Sequence, residues 1–223
     1  MDRLQTELKS HGIDLRDSTA AQLEAFLDAL YAWNERKNLT RVPREDAWCK
    51  HLLDSLLFAD HIPTTGRLLD LGTGPGIPAW PIAAMFPDLQ VEAVDSNGKM
   101  IDFLLSVPRP NLAARLIRAE EMTQRESFDL VTGRAVAPFS IQAEISAPFV
   151  RLGGRYIPMR TPSDESLFEA SYFEKLGLKL VDVVRRSLPD NMGDRANPIY
   201  EKVSPTPPEF PRLWAMMKRN PLS

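Results

Sequence analysis

The sequence predicts an α/β protein: a mostly parallel, doubly wound sheet behind an N-terminal helical extension. Three observations carry this. From Arg67 onward, short apolar runs alternate with segments of helical period. The first sixty or so residues carry helical period alone. One strand-like run, Leu68-Leu69-Asp70-Leu71, ends in the turn Gly72-Thr73-Gly74-Pro75-Gly76, and a segment able to form a helix follows. The expected organisation is a helical extension over 1–62, packed on a core domain over 63–223 that ends in a basic tail.

In the extension, Leu23, Phe26, Leu27 and Leu30 share one helical face, with Ser18 and Thr19 as candidate N-caps. A second helix is predicted from Glu45 to about His61, after the polar, positively charged stretch from Trp33 to Arg41. Pro43 and Pro63 punctuate the region, and Pro63 leads into the first strand. Strands are predicted at 67–71, 91–94, 115–118, 129–132 and 154–158, with two more near 178–186 and 198–203. Helices are predicted near 78–86, 98–107, 139–149 and 164–176. The alternation calls for helices on both sheet faces, with an antiparallel strand at the end. Ser204 to Ser223, rich in proline and basic residues, is expected to lie as a tail over the sheet edge.

The chain has 223 residues and a net charge of −3, so a uniformly basic nucleic-acid coat is excluded while a local basic face is not. A single cysteine, Cys49, excludes an intrachain disulfide and a cysteine metal cluster, and three scattered histidines show no ligand spacing, so no metal is expected. The polar N-terminus lacks the apolar stretch of a secretory signal, and no apolar run approaches the ~20 residues of a membrane span. The expectation is a cytoplasmic protein, with nothing that indicates an oligomer.

The glycine turn reads G-x-G-x-G. The third small position of a dinucleotide site would fall on Ile77, and Asp70 just before the turn would repel a pyrophosphate. Both features suit a cationic ligand without phosphate, and S-adenosylmethionine, with its ribose, amino group and sulfonium, has that chemistry. Asp70 or the turn backbone would take the amino-acid end. Asp95, which closes the run Val91-Glu92-Ala93-Val94, lies about 20 residues past the glycines, where an acid binds ribose hydroxyls. A plain strand-to-helix turn with capping acids is the alternative reading. Ala119-Glu120-Glu121 follows the third strand and would read an adenine edge; an acidic helix start is the alternative there. Gly133-Arg134-Ala135 follows the fourth strand, where Arg134 would clamp a phosphate or line the target base. No general base stands near Arg134, and Cys49 belongs to the helical extension, away from any nucleophile position. A ring nitrogen such as guanine N7 needs no base, because its lone pair is already exposed.

The motifs Trp33-Asn34 with Asn38-Leu39-Thr40, His51-Leu52-Leu53-Asp54-Ser55-Leu56, the turn from Leu69 to Pro78, Asp95-Ser96 with Lys99, Phe128-Asp129, Arg134-Ala135, Gly153-Gly154 and the tail residues Thr206-Pro207, Phe210-Pro211-Arg212 and Asn220-Pro221-Leu222 match a known pattern. From about Leu30 onward the chain resembles the bacterial small-subunit ribosomal RNA guanine-N7 methyltransferases, also called glucose-inhibited division protein B. The resemblance implies a Rossmann-like S-adenosylmethionine-dependent methyltransferase fold, and methylation of N7 of one guanine in the 530 loop of 16S ribosomal RNA. It implies cofactor contacts from Gly72, Ile77, Ala119, Glu120 and Arg134, with Gly74 in the same turn and Asp95 and Ser96 beside the adenosine. Two departures stand out. Arg160 replaces a lysine common after the Gly-Gly strand, and Leu213-Trp214-Ala215-Met216-Met217 replaces a more polar, glycine-containing stretch.

Basic residues group as Arg36, Lys37, Arg41, Arg44 and Lys50, and again as Arg195, Lys202, Arg212, Lys218 and Arg219. They are expected to flank the cofactor mouth and grip RNA phosphates, with Arg160, Arg195, Lys202 and Arg212 as the RNA-binding candidates. The partner implied is 16S ribosomal RNA or the small ribosomal subunit. Competing readings are a methyltransferase acting on a protein or a small molecule, a nicotinamide oxidoreductase, and a non-catalytic RNA-binding module on the same shell.

Overall fold

A computed structural model describes residues 1–223. Helices α1 (Asp2–Ser10) and α2 (Asp17–Lys37) open the chain. The helix expected from Glu45 to His61 is instead broken. It runs as a 3-10 turn at Arg44–Asp46, a π-helical turn at Trp48–Leu53, a short α3 (Asp54–Leu56) and a 3-10 turn at Ala59–His61. The cause is burial on more than one face. Cys49, His51, Leu52, Leu53, Asp54, Ser55 and Leu56 are all buried, so no single apolar stripe holds a straight helix. The wider turn swings His51 and Asp54 inward together, and such turns recur at functional sites. Helix α2 starts at Asp17 with Arg16 as its N-cap, two residues before the first expected cap, Ser18.

Next come β1 (Gly66–Leu71), α4 (Ala79–Met85), β2 (Leu89–Asp95), α5 (Gly98–Ser106), β3 (Leu112–Leu116), β4 (Phe128–Arg134), α6 (Phe139–Ser146), β5 (Val150–Met159), α7 (Tyr172–Lys175), β6 (Leu178–Ser187), β7 (Asp194–Lys202) and α8 (Trp214–Arg219). All seven strands join one sheet in the order β3-β2-β1-β4-β5-β7-β6. The strands β3, β2, β1, β4 and β5 run parallel, while β7 is antiparallel to both β5 and β6. Strand order reverses between β1 and β4, and in open α/β sheets that switch point is where ligands collect.

Alternate residues of β1 face opposite layers. Leu68 joins the larger apolar cluster, with α1, α2, α4 and α5, while Leu69 and Leu71 join the second, with Phe139, Phe149, Tyr156, Phe173 and Tyr200. Both faces are thus covered, which is why the parallel strands read as continuous apolar runs. The extension shares the first cluster rather than standing apart: Phe26 of α2 stacks on Trp80 of α4 with centroids 4.4 Å apart.

Two further expectations change. The helix read at 164–176 is a 3-10 turn (Pro162–Leu167) followed by the single turn of α7. Its apolar residues do not share a helical stripe: Phe168 and Phe173 each meet Phe139 edge-on, at 5.7 and 5.1 Å, and this packing overrides the period. The tail does not lie on the sheet edge, which belongs to β3 and β6. It crosses α6, where Met217 is buried against Ile141 and Ile145.

Candidate functional site

The turn after β1 needs its glycines. Gly72 has φ +65°, and a Cβ there would sit 2.9 Å from both methyl carbons of Val136. Gly74, at φ +56°, turns its N–H toward β2 and donates to Asp95 Oδ2 at 2.8 Å. The N–H of Asn97 donates to Asp95 Oδ1, also at 2.8 Å. The carboxylate is therefore fixed by two backbone donors at the tip of β2. Asp70 lies behind the turn and is fully buried, with Oδ2 accepting from Ala79 N–H at 3.2 Å and Oδ1 without a protein partner. Burial pushes its carboxyl up to about 7, against the opposing pull of the nearby Thr73 hydroxyl and of the Ala79 N–H.

A cavity of about 270 Å³ opens above these strand tips. Gly72, Asp95 and Ser96 form one side, and Ile117, Arg118, Ala119 and Glu120 another. Leu71, Val94, Val136, Ile145 and Trp214 supply apolar wall. Its anionic groups are Asp95 and Glu120, and its one cation, Arg118, is half-exposed and 3.9 Å from Glu120. Such a lining suits hydroxyls, a positive group and a flat apolar ring, and it disfavours phosphate. Of the residues expected around a cofactor, Gly72, Asp95, Ser96, Ala119 and Glu120 meet here. Gly74 stands behind them, holding Asp95. Ile77 is buried beneath the turn in the apolar core.

Arg134 lies beside a second cavity, of about 540 Å³, which shares Ala135 with the first. Ala135 has φ +53°, a left-handed conformation unusual for alanine, and it forms the ridge between the two spaces. Lys50, Arg134, Arg160 and Arg195 line the second cavity, with Asp54 and Asp164 as its acids.

A polar rack fixes Arg134. Its Nη1 donates to Lys50 O at 2.7 Å and to Asp54 Oδ2 at 3.2 Å. Its Nη2 lies 3.4 Å from His51 Nδ1. A guanidinium only donates, so Nδ1 is the acceptor and the imidazole proton sits on Nε2. Nε2 then donates to Thr40 Oγ1 at 2.9 Å, which also accepts from Val42 N–H at 3.1 Å. Burial, reinforced by the charge of Arg134, lowers the His51 pKa to about 4, so the ring stays neutral. Asn34 Oδ1 accepts from the N–H groups of Leu39 and Thr40, at 2.6 and 2.9 Å, and shapes the loop that delivers Thr40. The two motifs of the helical extension thus hold the arginine at the end of β4.

Arg160 stacks over Phe139, 4.4 Å from the ring centroid. It also donates to Gln142 Oε1, and Gln142 Nε2 donates to Gly133 O at 2.9 Å. Of the four RNA-binding candidates, only Arg160 and Arg195 line this cavity. Lys202 is a correction. It is 1 % exposed, and its Nζ donates to Ala147 O and Leu176 O at 2.9 and 2.8 Å, so it cannot reach a phosphate. Burial also lowers its pKa, to about 8. Arg212 is likewise committed within the fold, forking onto the buried Glu144 through Nε at 2.8 Å and Nη2 at 2.6 Å. Arg44 pairs with Glu24 and Asp28 on α2. The basic clusters of the sequence therefore do not face the cavities as two groups.

Sequence reasoning missed His51, Asp54, Gln142, Val136 and Trp214 as parts of these sites. The His-Leu-Leu-Asp-Ser motif carried the signal for the first two. For Val136 the signal was local, since it follows Ala135 just beyond β4, while the positions of Gln142 and Trp214 depend on how α6 and the tail pack.

A sequence model of the family described as "GidB: rRNA small subunit methyltransferase G" matches residues 19–188. Among curated proteins, the chain is similar to Ribosomal RNA small subunit methyltransferase G of Lachnoclostridium phytofermentans, with 40 % identity over 96 % of this chain and 94 % of that one. The protein of the same name from Staphylococcus saprophyticus is 34 % identical over 98 % of this chain and 97 % of that one. Among solved structures, M. jannaschii TYW2 in complex with AdoMet has a TM-score of 0.55 at 16 % identity, covering 67 % of this chain and 75 % of that one. That likeness is one of fold, a Rossmann-like methyltransferase sheet.

Proposed function

The chain belongs to the rRNA small subunit methyltransferase G family, and from that premise we propose that it transfers a methyl group from S-adenosylmethionine to N7 of a guanine in the 530 loop of 16S ribosomal RNA. One observation carries the reading: two cavities of opposite character meet at Ala135, on the carboxyl edge of the sheet. The acidic and apolar one suits the cofactor. The basic one suits a nucleotide with its phosphates.

The fit of the cofactor rests on this lining. Asp95 and Ser96 would take the ribose, and Ile117, Ala119, Val136 and Ile145 would enclose the adenine. The turn backbone at Gly72 would face the amino-acid end, since Asp70 is sealed behind it. When bound, the cofactor supplies an electrophilic methyl group on a sulfonium. A guanine N7 lone pair accepts that methyl without losing a proton, so the chain needs no base. The positive charge passes from sulfur to the base rather than being created. Positioning is therefore the main demand on Lys50, Arg134, Arg160 and Arg195, the cations of the second cavity. The base would have to be splayed from a loop, because the A-form major groove hides N7.

The proposed partner is 16S ribosomal RNA or the small ribosomal subunit, and the proposed place of action is the cytoplasm. No helix is long and apolar enough to cross a membrane. The test is incubation with methyl-labelled S-adenosylmethionine and unmodified small subunits or their RNA, followed by mapping of the labelled base. Label at a guanine N7 in the 530 loop is expected. Label only on protein or on small molecules would overturn the reading.

A further inference from the structure

Trp214 is a tail residue that walls the cofactor cavity. It lies beside Ile145 of α6 and Ala119, and packs on the same small apolar cluster as Met217, which is fully buried. It belongs to the stretch where this chain departs from the family's polar, glycine-containing pattern. We propose that Trp214 recognises the purine of the cofactor, closing the adenine end of the cavity with its indole face. The inference rests on the cofactor reading above and extends it to a residue outside the sheet.

Three observations support it. The first is position. Trp214 lines the cavity and packs in one apolar cluster with Ala119, Val136 and Ile145, three of the four side chains that would enclose the adenine. The indole therefore meets the part of the cavity assigned to the adenine.

The second is preorganisation. The segment before Trp214 is tied down by Arg125, whose Nη1 donates to Phe210 O at 2.6 Å and whose Nη2 donates to Thr206 O at 2.9 Å. Arg212 forks onto Glu144 two residues before the indole, and Arg212 Nη1 donates to Asn220 O at 3.1 Å beyond it. With Met217 buried, the backbone that carries the indole is held on both sides, so a ligand need not order this segment.

The third is chemistry. The neighbouring walls Val136, Ile145 and Ile117 are aliphatic, and Trp214 is the one aromatic ring among the lining residues. Base–aromatic stacking is strong and does not depend on hydrogen bonds.

The test uses the full chain and two variants, with S-adenosylmethionine and S-adenosylhomocysteine as ligands. Trp214→Ala is expected to weaken both by roughly tenfold in calorimetry, while the melting temperature of the free protein stays close to wild type. Trp214→Phe is expected to keep the affinity within about threefold, since a ring remains. It should also lose most of the ligand-induced change in tryptophan fluorescence, because Trp33, Trp48 and Trp80 do not line the cavity. Wild-type affinity in Trp214→Ala, or an undiminished fluorescence change in Trp214→Phe, would overturn the inference while leaving the cofactor reading intact. Failure of the wild-type chain to bind either ligand would remove the cofactor reading and this inference together.

Discussion

Arg195 grips Asp54 with two near-parallel bonds, Nε to Oδ1 at 2.7 Å and Nη2 to Oδ2 at 3.2 Å, across 141 residues of chain. Asp54 is 2 % exposed and also meets Arg134, so one buried carboxylate holds two guanidinium groups of the second cavity. Removing it would leave two partly buried cations facing each other. Asp54→Ala is expected to cost about 3 kcal/mol of stability, the cost of breaking a buried pair from one side. Denaturant unfolding of the variant checks this, and a loss below about 1 kcal/mol would mean that the arginines find other partners or water.

Arg134→Ala is expected to lose methyl transfer far more than stability. Asp54 keeps Arg195 in the variant, so the cost to folding should stay near 1–2 kcal/mol, the scale of one charged hydrogen bond. Transfer should fall on the order of a hundredfold, because the base loses a fixed neighbour at the ridge of Ala135. Lysine should not restore it, since a single ammonium cannot span Lys50 O, Asp54 and His51 at once. Methyl-labelling rates on ribosomal RNA decide, and full activity in Arg134→Ala would make the arginine a purely structural tie.

Asp95→Ala is expected to weaken S-adenosylmethionine binding at least tenfold, a loss of about 1.4 kcal/mol or more for a charged hydrogen bond to a ribose hydroxyl. The structure adds a second effect. Gly74 and Asn97 lose the acceptor for their N–H groups, so the free protein should also lose about 1–2 kcal/mol. Calorimetry measures the first and thermal unfolding the second. Unchanged affinity alongside reduced stability would assign Asp95 to holding the turn alone.

The parts of this site that are legible in sequence are those that sit next to one another in the chain. The turn from Gly72 to Gly76 and the acid Asp95 follow from strand ends and glycine spacing, which are local facts. Lys202 shows the opposite case. Its charge suggested a surface contact, yet β7 carries it into a buried position beneath the tail, against carbonyls from distant segments. The π-helical turn at Trp48–Leu53, inside the helix expected there, escaped for a related reason, since His51 and Asp54 are buried against partners from distant segments. Trp214 belongs to the same class, because only the packing of the tail on α6 reveals it.

Asp70 gives the protein a pH signature. Its carboxyl is held up to about 7 by burial, above the ordinary aspartate value that applies once the chain unfolds. Below pH ~4 it is protonated in both states and costs nothing. As pH rises toward 7, the unfolded chain gives up this proton while the folded chain still holds it, so stability is lost through that window and the loss levels off above it. Asp70→Asn mimics the protonated acid: its oxygen can accept from Ala79 N–H, and its amide occupies the place of the unpartnered Oδ1. The variant's melting temperature minus the wild type's should therefore grow between pH ~4 and ~7 and stay flat at higher pH. Parallel thermal melts across that range read it directly. A difference that does not change with pH would mean that Asp70 titrates as an ordinary carboxylate, with water reaching it behind the turn.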